Sequence, residues 1–170
     1  AYTSYVLGCM AEIAEEVEHS EDAAIFCKYS DGCKKAYQAM VESSTRSHYN
    51  SPFEAWEKYG YMPQNQQRMS VSITLEQAFD DWCVAAVAKK LGKMDDYERF
   101  YKRSESYRNL FHEESGFFRP KNDKGEWIEP FDPLSYEEPC FIEGNAWQYM
   151  WFVPQNPQGM IDLFGGPEGF

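Results

Sequence analysis

"SITLEQAFDDWCVAAVAKKL", residues 72–91, places Leu75, Ala78, Phe79, Trp82, Ala85 and Ala86 three or four positions apart along an otherwise mixed stretch. That spacing follows the 3.6-residue period of an α-helix and gathers the apolar side chains into one broad stripe. Gly92 follows immediately and supplies a residue that tolerates the left-handed conformation at a helix end. Asp80 and Asp81 sit inside this pattern. Successive helical residues point about 100° apart, so at most one of the two lies squarely on the buried face. A buried aspartate there either pins a neighbouring loop through hydrogen bonds or lines a cleft.

Outward from this helix the same rhythm continues. Val6, Met10, Ile13 and Val17 predict an amphipathic helix from Tyr2 to Val17, Ser20 caps a second, and a third runs from Lys34 to about Ser43. Pro52 opens a short helical piece ending near Tyr59, and Asp95 opens a helix whose continuation carries Tyr97, Phe100, Tyr101, Tyr107 and Phe111 on its inner side. In "SGFFRPKNDKGEWIEPFDP", residues 115–133, "FFR" and "EWI" flank a turn-forming loop with Asn122, Asp123 and Gly125, which predicts a β-hairpin insertion near 116–128. A last helix covers roughly Pro157 to Phe164, closed by Gly165 and Gly166. The expected class is all-α, built of paired antiparallel helices.

The 170 residues fit one domain of ordinary size. Sixteen basic against 28 acidic side chains leave a net charge of −12, which repels phosphate backbones and anionic lipid, so nucleic acid and membrane surfaces are not expected partners. No apolar run approaches the roughly 20 residues of a membrane helix, and residues 1–20 lack the pattern of an export signal. Cys9, Cys27, Cys33, Cys83 and Cys140 are odd in number and form no C-x-x-C pair, which predicts buried free thiols rather than a zinc site or a disulfide framework.

The chemistry concentrates in "CFIEGNAWQYMWFVP", residues 140–154. Glu143, set between Ile142 and an aromatic cluster, is either a carboxylate favoured by a helix N-terminus or a partly desolvated acid holding a proton near neutral pH. Composition alone favours the first. Gly144 leaves room for a ligand to approach the backbone. Trp147, Tyr149 and Trp151 would share one side of a strand and spread around a helix; a core role is the default, and an aromatic face toward a sugar ring is the alternative. His19, His48 and His112 lie scattered among polar residues, with no partner at metal-ligand spacing. No phosphate loop, serine elbow or zinc-protease helix is present.

Taken together, "AYQAMVESS" (36–44), "EKYGYMPQN" (57–65), residues 71–111, "ESGFFRPKNDKGEWIEPFDP" (114–133) and "IEGNAWQYMWFVPQNPQGMIDLFGG" (142–166) resemble glycoside hydrolase family 92, the calcium-dependent inverting exo-α-mannosidases. The resemblance implies an (α/α)6 toroid, with this chain as one partial catalytic-domain segment, well matched over 34–170 and weakly over 1–33. It implies a preceding β-sandwich domain, a mannose-containing glycan as substrate with α-1,2 linkage, calcium with oxygen ligands largely outside the segment, and a secreted, periplasmic or cell-surface setting. The glutamate of the "EGNAWQY" motif is the family's general acid, which assigns that role to Glu143. Asn145, Trp147 and Gln148 then shape the sugar subsite.

The family's general-base aspartates lie in a Gly-Asn-Asp-Asp-Cys-Gly segment absent from these residues, so the isolated segment is expected to be inactive. Asp80 and Asp81 belong to another motif and do not replace them. Gln155 and Gln77 stand where the family has histidine and tyrosine, a departure that bears on cleft polarity. A non-catalytic helical-repeat module, binding protein or glycan through its aromatic face, is the competing expectation.

Overall fold

The helix expected over residues 72–91 forms. In the computed structural model, which describes residues 32, 35–47, 52–136 and 139–169, the helix runs Ser70–Lys90. In chain order the elements are α1 (35–43), α2 (Phe53–Tyr59), α3 (Ser70–Lys90), α4 (Met94–Ser104), a 3-10 turn (Ser106–Leu110), β1 (Phe111–His112), β2 (Phe117–Phe118), α5 (Ala146–Tyr149) and α6 (Pro157–Leu163). The expected helices upstream of residue 32 lie outside the described residues. The class is all-α with one small hairpin.

The chain divides into two compact units, one from residues up to Thr45 with Cys83–Phe100, the other from Arg46–Trp82 with Tyr101–Phe170. In the first, Tyr37, Val84, Ala85, Val87, Ala88 and Phe100 form the core, and the Tyr37 hydroxyl donates to Asp96 at 2.6 Å. Lys89 and Lys90 occupy the last turn of α3, favourable at its negative end, and Gly92 closes it at φ 68° with the Lys93 amide returning to Ala88.

In the second unit the core gathers Val71 and Leu75 of α3 with Tyr107, Leu110, Phe118, Phe141, Ala146 and Val153, while Phe53, Trp56, Met62 and Ala78 form a smaller cluster. Of the two aspartates, Asp81 is wholly buried and Asp80 exposed. Asp81 pins rather than lines a cleft: its carboxylate accepts Nε and Nη2 of Arg103, both at 2.8 Å, and the Trp56 indole N–H at 3.1 Å. Gln77, four residues earlier, also points to Asp81. Trp82 is therefore not on the buried stripe; it is exposed and stacks on Phe79, because Asp81 takes the inward position.

Three further expectations are adjusted. Pro52 precedes α2 as its cap instead of opening its first turn, with Gly60 closing the helix at φ 71°. The Asp95 helix ends at Ser104, so Tyr107 enters the core from the 3-10 turn, and Tyr101 is exposed. "FFR" supplies β2, which pairs with the preceding residues in the register Phe111↔Phe118 and His112↔Phe117; "EWI" returns only through a Lys121↔Trp127 bridge around the Asn122 turn. Cys140 is buried and Cys83 half-buried, and the other cysteines lie outside the described residues. Among the described residues, no helix is long and apolar enough to cross a membrane.

Candidate active site

A helix begins with backbone N–H groups that have no partner within it, and something must accept them. At α3 the acceptor is the segment leading to Glu143: the amides of Val71 and Ser72 donate to the Cys140 carbonyl at 3.1 and 3.3 Å, and Met69 donates to Pro139 at 2.7 Å. Ser72 then accepts the Ile142 amide on its side-chain oxygen at 2.9 Å. The segment carrying Glu143 is thereby sewn to the start of the best-defined helix.

Glu143 follows at φ 49°, in the left-handed region that residues with a side chain rarely adopt. Its side chain stands exposed, and not enclosed by the aromatic cluster as the second of the two sequence readings has it. Gly144 is buried, and a Cβ there would lie 2.8 Å from Gln148 Oε1 and 3.3 Å from Tyr149 Cε2. The missing side chain makes room for these neighbours.

Asn145 caps α5. Its side chain accepts the Gln148 amide at 3.3 Å while Gln148 Oε1 accepts the Asn145 amide at 3.0 Å, a reciprocal capping box. Asn145 is buried and also donates from Nδ2 to the Leu134 carbonyl at 3.3 Å, tying in the loop after the hairpin. Replacing Asn145 with Ala removes both roles and should destabilise the protein by about 1–2 kcal/mol in chemical denaturation, whereas Asp, which keeps the capping oxygen, should cost less.

Trp147 projects outward, 48% exposed, with its ring edge-on to Phe117 at 5.0 Å. Trp151 is 51% exposed, contrary to the core role expected of it. Tyr149 is divided: its ring stacks on Phe141 at 5.5 Å and 28°, and its hydroxyl donates to the Ile142 carbonyl at 3.0 Å. The four-residue α5 spreads these aromatics around a turn, as helical spacing requires.

Ser72, Glu76 and Asp80 recur every fourth residue on α3 and so share a face. Partial desolvation and the neighbouring Asp80 charge hold the Glu76 carboxyl above the ordinary range, opposed by a hydrogen bond with Tyr149; desolvation raises Asp80 in the same way. The Tyr149 hydroxyl is raised chiefly by burial, and the charges of Glu76 and Glu143 add to this, while a bond from Ser72 opposes it. The structure thus brings Glu143, Asn145, Trp147 and Gln148 together on one short segment and adds Ser72, Glu76 and Tyr149 beside them. The four-residue spacing on α3 was the available signal for the first two.

Among the described residues, no group of three or more His, Cys, Asp or Glu side chains converges as a metal site. Calcium takes six to eight oxygen ligands, and the Glu76–Asp80 pair does not provide such a shell. Of the two departures from the resemblance, Gln77 joins the Asp81 network and Gln155 donates to the Ser104 carbonyl at 3.3 Å.

An exposed carboxyl on a fixed corner, next to an exposed indole and a hydroxyl-bearing aromatic, suits proton transfer to a group presented from outside. The chain is 27% identical over 146 residues to an uncharacterized secreted glycosidase of Arthroderma benhamiae, covering 68% of this chain and 19% of that protein. A family GH92 α-mannosidase from Bacteroides thetaiotaomicron superposes with a TM-score of 0.76 at 42% identity, over 81% of this chain and 18% of its own. An inverting mannosidase of the same family and organism gives 0.76 at 35% identity, over 80% and 19%. The chain therefore spans under a fifth of each relative's length. Residues 20–170 match the glycosyl hydrolase family 92 catalytic domain, and the chain belongs to that family.

Proposed function

We propose that this chain is a segment of the catalytic domain of an exported, inverting exo-α-mannosidase acting on α-1,2-linked mannose, and that Glu143 is its general acid. The observation that carries the proposal is the presentation of Glu143: exposed, in a left-handed backbone conformation, on the segment that leads into the exposed Trp147 of α5. The mannosidase names of the solved relatives, and the complex of one with mannoimidazole, support the substrate class. The helical class of the described residues supports a place within an (α/α)6 toroid.

In this mechanism Glu143 donates its proton to the departing glycosidic oxygen while the opposite face of the sugar is attacked by water activated by a second carboxylate. Inverting enzymes hold the two carboxyl groups about 6.5–9.5 Å apart to admit that water. The base is assigned to residues outside this segment, and calcium, the proposed cofactor, likewise to ligands outside the described residues. Asn145 and Gln148 fix the corner on which Glu143 stands, and Trp147 offers an apolar face to a sugar ring.

The test is proton NMR of the first-formed product from α-1,2-mannobiose, using the full-length enzyme with and without a chelator. β-Mannose as the initial anomer, lost on chelation, is expected, together with no turnover by residues 1–170 alone. An α-anomer as first product would overturn inversion, and turnover by the segment would overturn the assignment of the base.

A further inference from the structure

The left-handed conformation of Glu143 is unusual for a residue with a side chain, and it persists only where the surroundings impose it. Its φ is the rotation between the Ile142–Glu143 peptide plane and the Glu143 Cα, so whatever holds that plane sets the direction of the carboxylate. The Tyr149 hydroxyl holds it, and Ser72 holds the peptide before it. The Tyr149 hydroxyl donates to the Ile142 carbonyl, which lies in that plane, at 3.0 Å, while Ser72 Oγ accepts the Ile142 amide, which lies in the preceding peptide, at 2.9 Å. On the far side of Glu143 the Asn145 amide is held by Gln148 Oε1 at 3.0 Å.

We propose that Tyr149, which holds the Ile142–Glu143 peptide and is seconded by Ser72 on the peptide before it, is the positioning residue that aims Glu143 at the departing oxygen. This rests on the assignment of Glu143 as general acid. The Tyr149 hydroxyl touches the Ile142 backbone and not the reacting atoms, so its effect on the reaction passes through Glu143. Its ring has a separate task, packing on Phe141 and filling the space that Gly144 leaves. Tyr149→Phe therefore removes the clasp and leaves the packing in place.

The experiment compares two substrates in the full-length enzyme. α-1,2-Mannobiose has a poor leaving group and needs protonation, whereas 2,4-dinitrophenyl α-mannoside departs with little assistance. Tyr149→Phe should lower kcat on mannobiose about tenfold with KM changed by less than about twofold, and should leave kcat on the aryl mannoside within about twofold. Ser72→Ala should repeat the pattern, and Ser72→Thr, which keeps a hydroxyl, should restore most of the activity. The Ser72 pair decides the matter should Tyr149→Phe fail to fold.

Equal losses on both substrates, or none on either, would overturn the positioning role while a selective Glu143→Gln defect left the acid assignment standing. A Glu143→Gln enzyme impaired equally on both substrates would remove the acid assignment and this inference with it.

Discussion

Glu143→Gln in the full-length enzyme should lower turnover of α-1,2-mannobiose by about 10²–10⁴-fold and turnover of 2,4-dinitrophenyl α-mannoside by less than about tenfold. The substitution keeps the length and shape of the side chain and removes only the proton that can be given away. A sugar alkoxide is a poor leaving group and cannot depart without that proton, whereas dinitrophenolate is stable as it leaves. The position of Glu143 makes the comparison clean. The side chain is exposed and neither capping box nor core depends on it, since Asn145 and Gln148 bond to each other and Ile142 is held by Ser72 and Tyr149. Folding should be unaffected, and a matched melting temperature checks that. Comparable losses on both substrates would assign Glu143 to binding or structure instead of proton donation.

The parts of this picture differ in how far the sequence shows them. The α3 helix and its glycine stop are legible because periodicity and end signals are local properties, and α6 with Gly165 and Gly166 is legible for the same reason. That one of Asp80 and Asp81 turns inward follows from the helical period. Which one does so depends on Arg103, 22 residues further on, and on Trp56, 25 residues back, and no local pattern brings those donors together.

The site follows the same division. The Asn145-x-x-Gln148 spacing carries a capping signal, yet the same two residues also read as sugar ligands, and only their mutual hydrogen bonds in the folded chain show the capping role. Glu143 itself is visible through its motif. Its left-handed backbone is not, because sequence patterns associate that conformation with glycine, and the bond on the adjoining peptide, from the Tyr149 hydroxyl to the Ile142 carbonyl, comes from outside the residue. Tyr149 was expected in the core because an aromatic ring is the larger part of it; the ring packs there, and the hydroxyl works at the site.

Asp81→Leu should destabilise the second unit by about 3–5 kcal/mol, read as a fall in melting temperature of about 10 °C or more. The reason is the charge left behind. Arg103 is itself buried, and the variant removes both of its bonds to Asp81, while its Glu57 partner at 2.9 Å is half-exposed and screened by solvent. Arg103→Leu should cost less, because Asp81 can neutralise itself by taking a proton. Burial already pushes its carboxyl up to about 6, with Arg103, Trp56 and Gln77 opposing. A folded pKa above the unfolded 3.8 means that the group's stabilising contribution is full below that value and declines as pH rises toward about 6. Without Arg103 the opposition weakens and the decline extends to higher pH, so Arg103→Leu should be markedly less stable at pH 8 than at pH 5. The Asp81→Leu/Arg103→Leu double variant, with no buried charge unpaired, should be more stable than Asp81→Leu alone, since an apolar pair of similar volume replaces a buried ion pair at little net cost. Additive losses in the double variant would show that the two side chains act independently, and the pinning role of Asp81 would then fall.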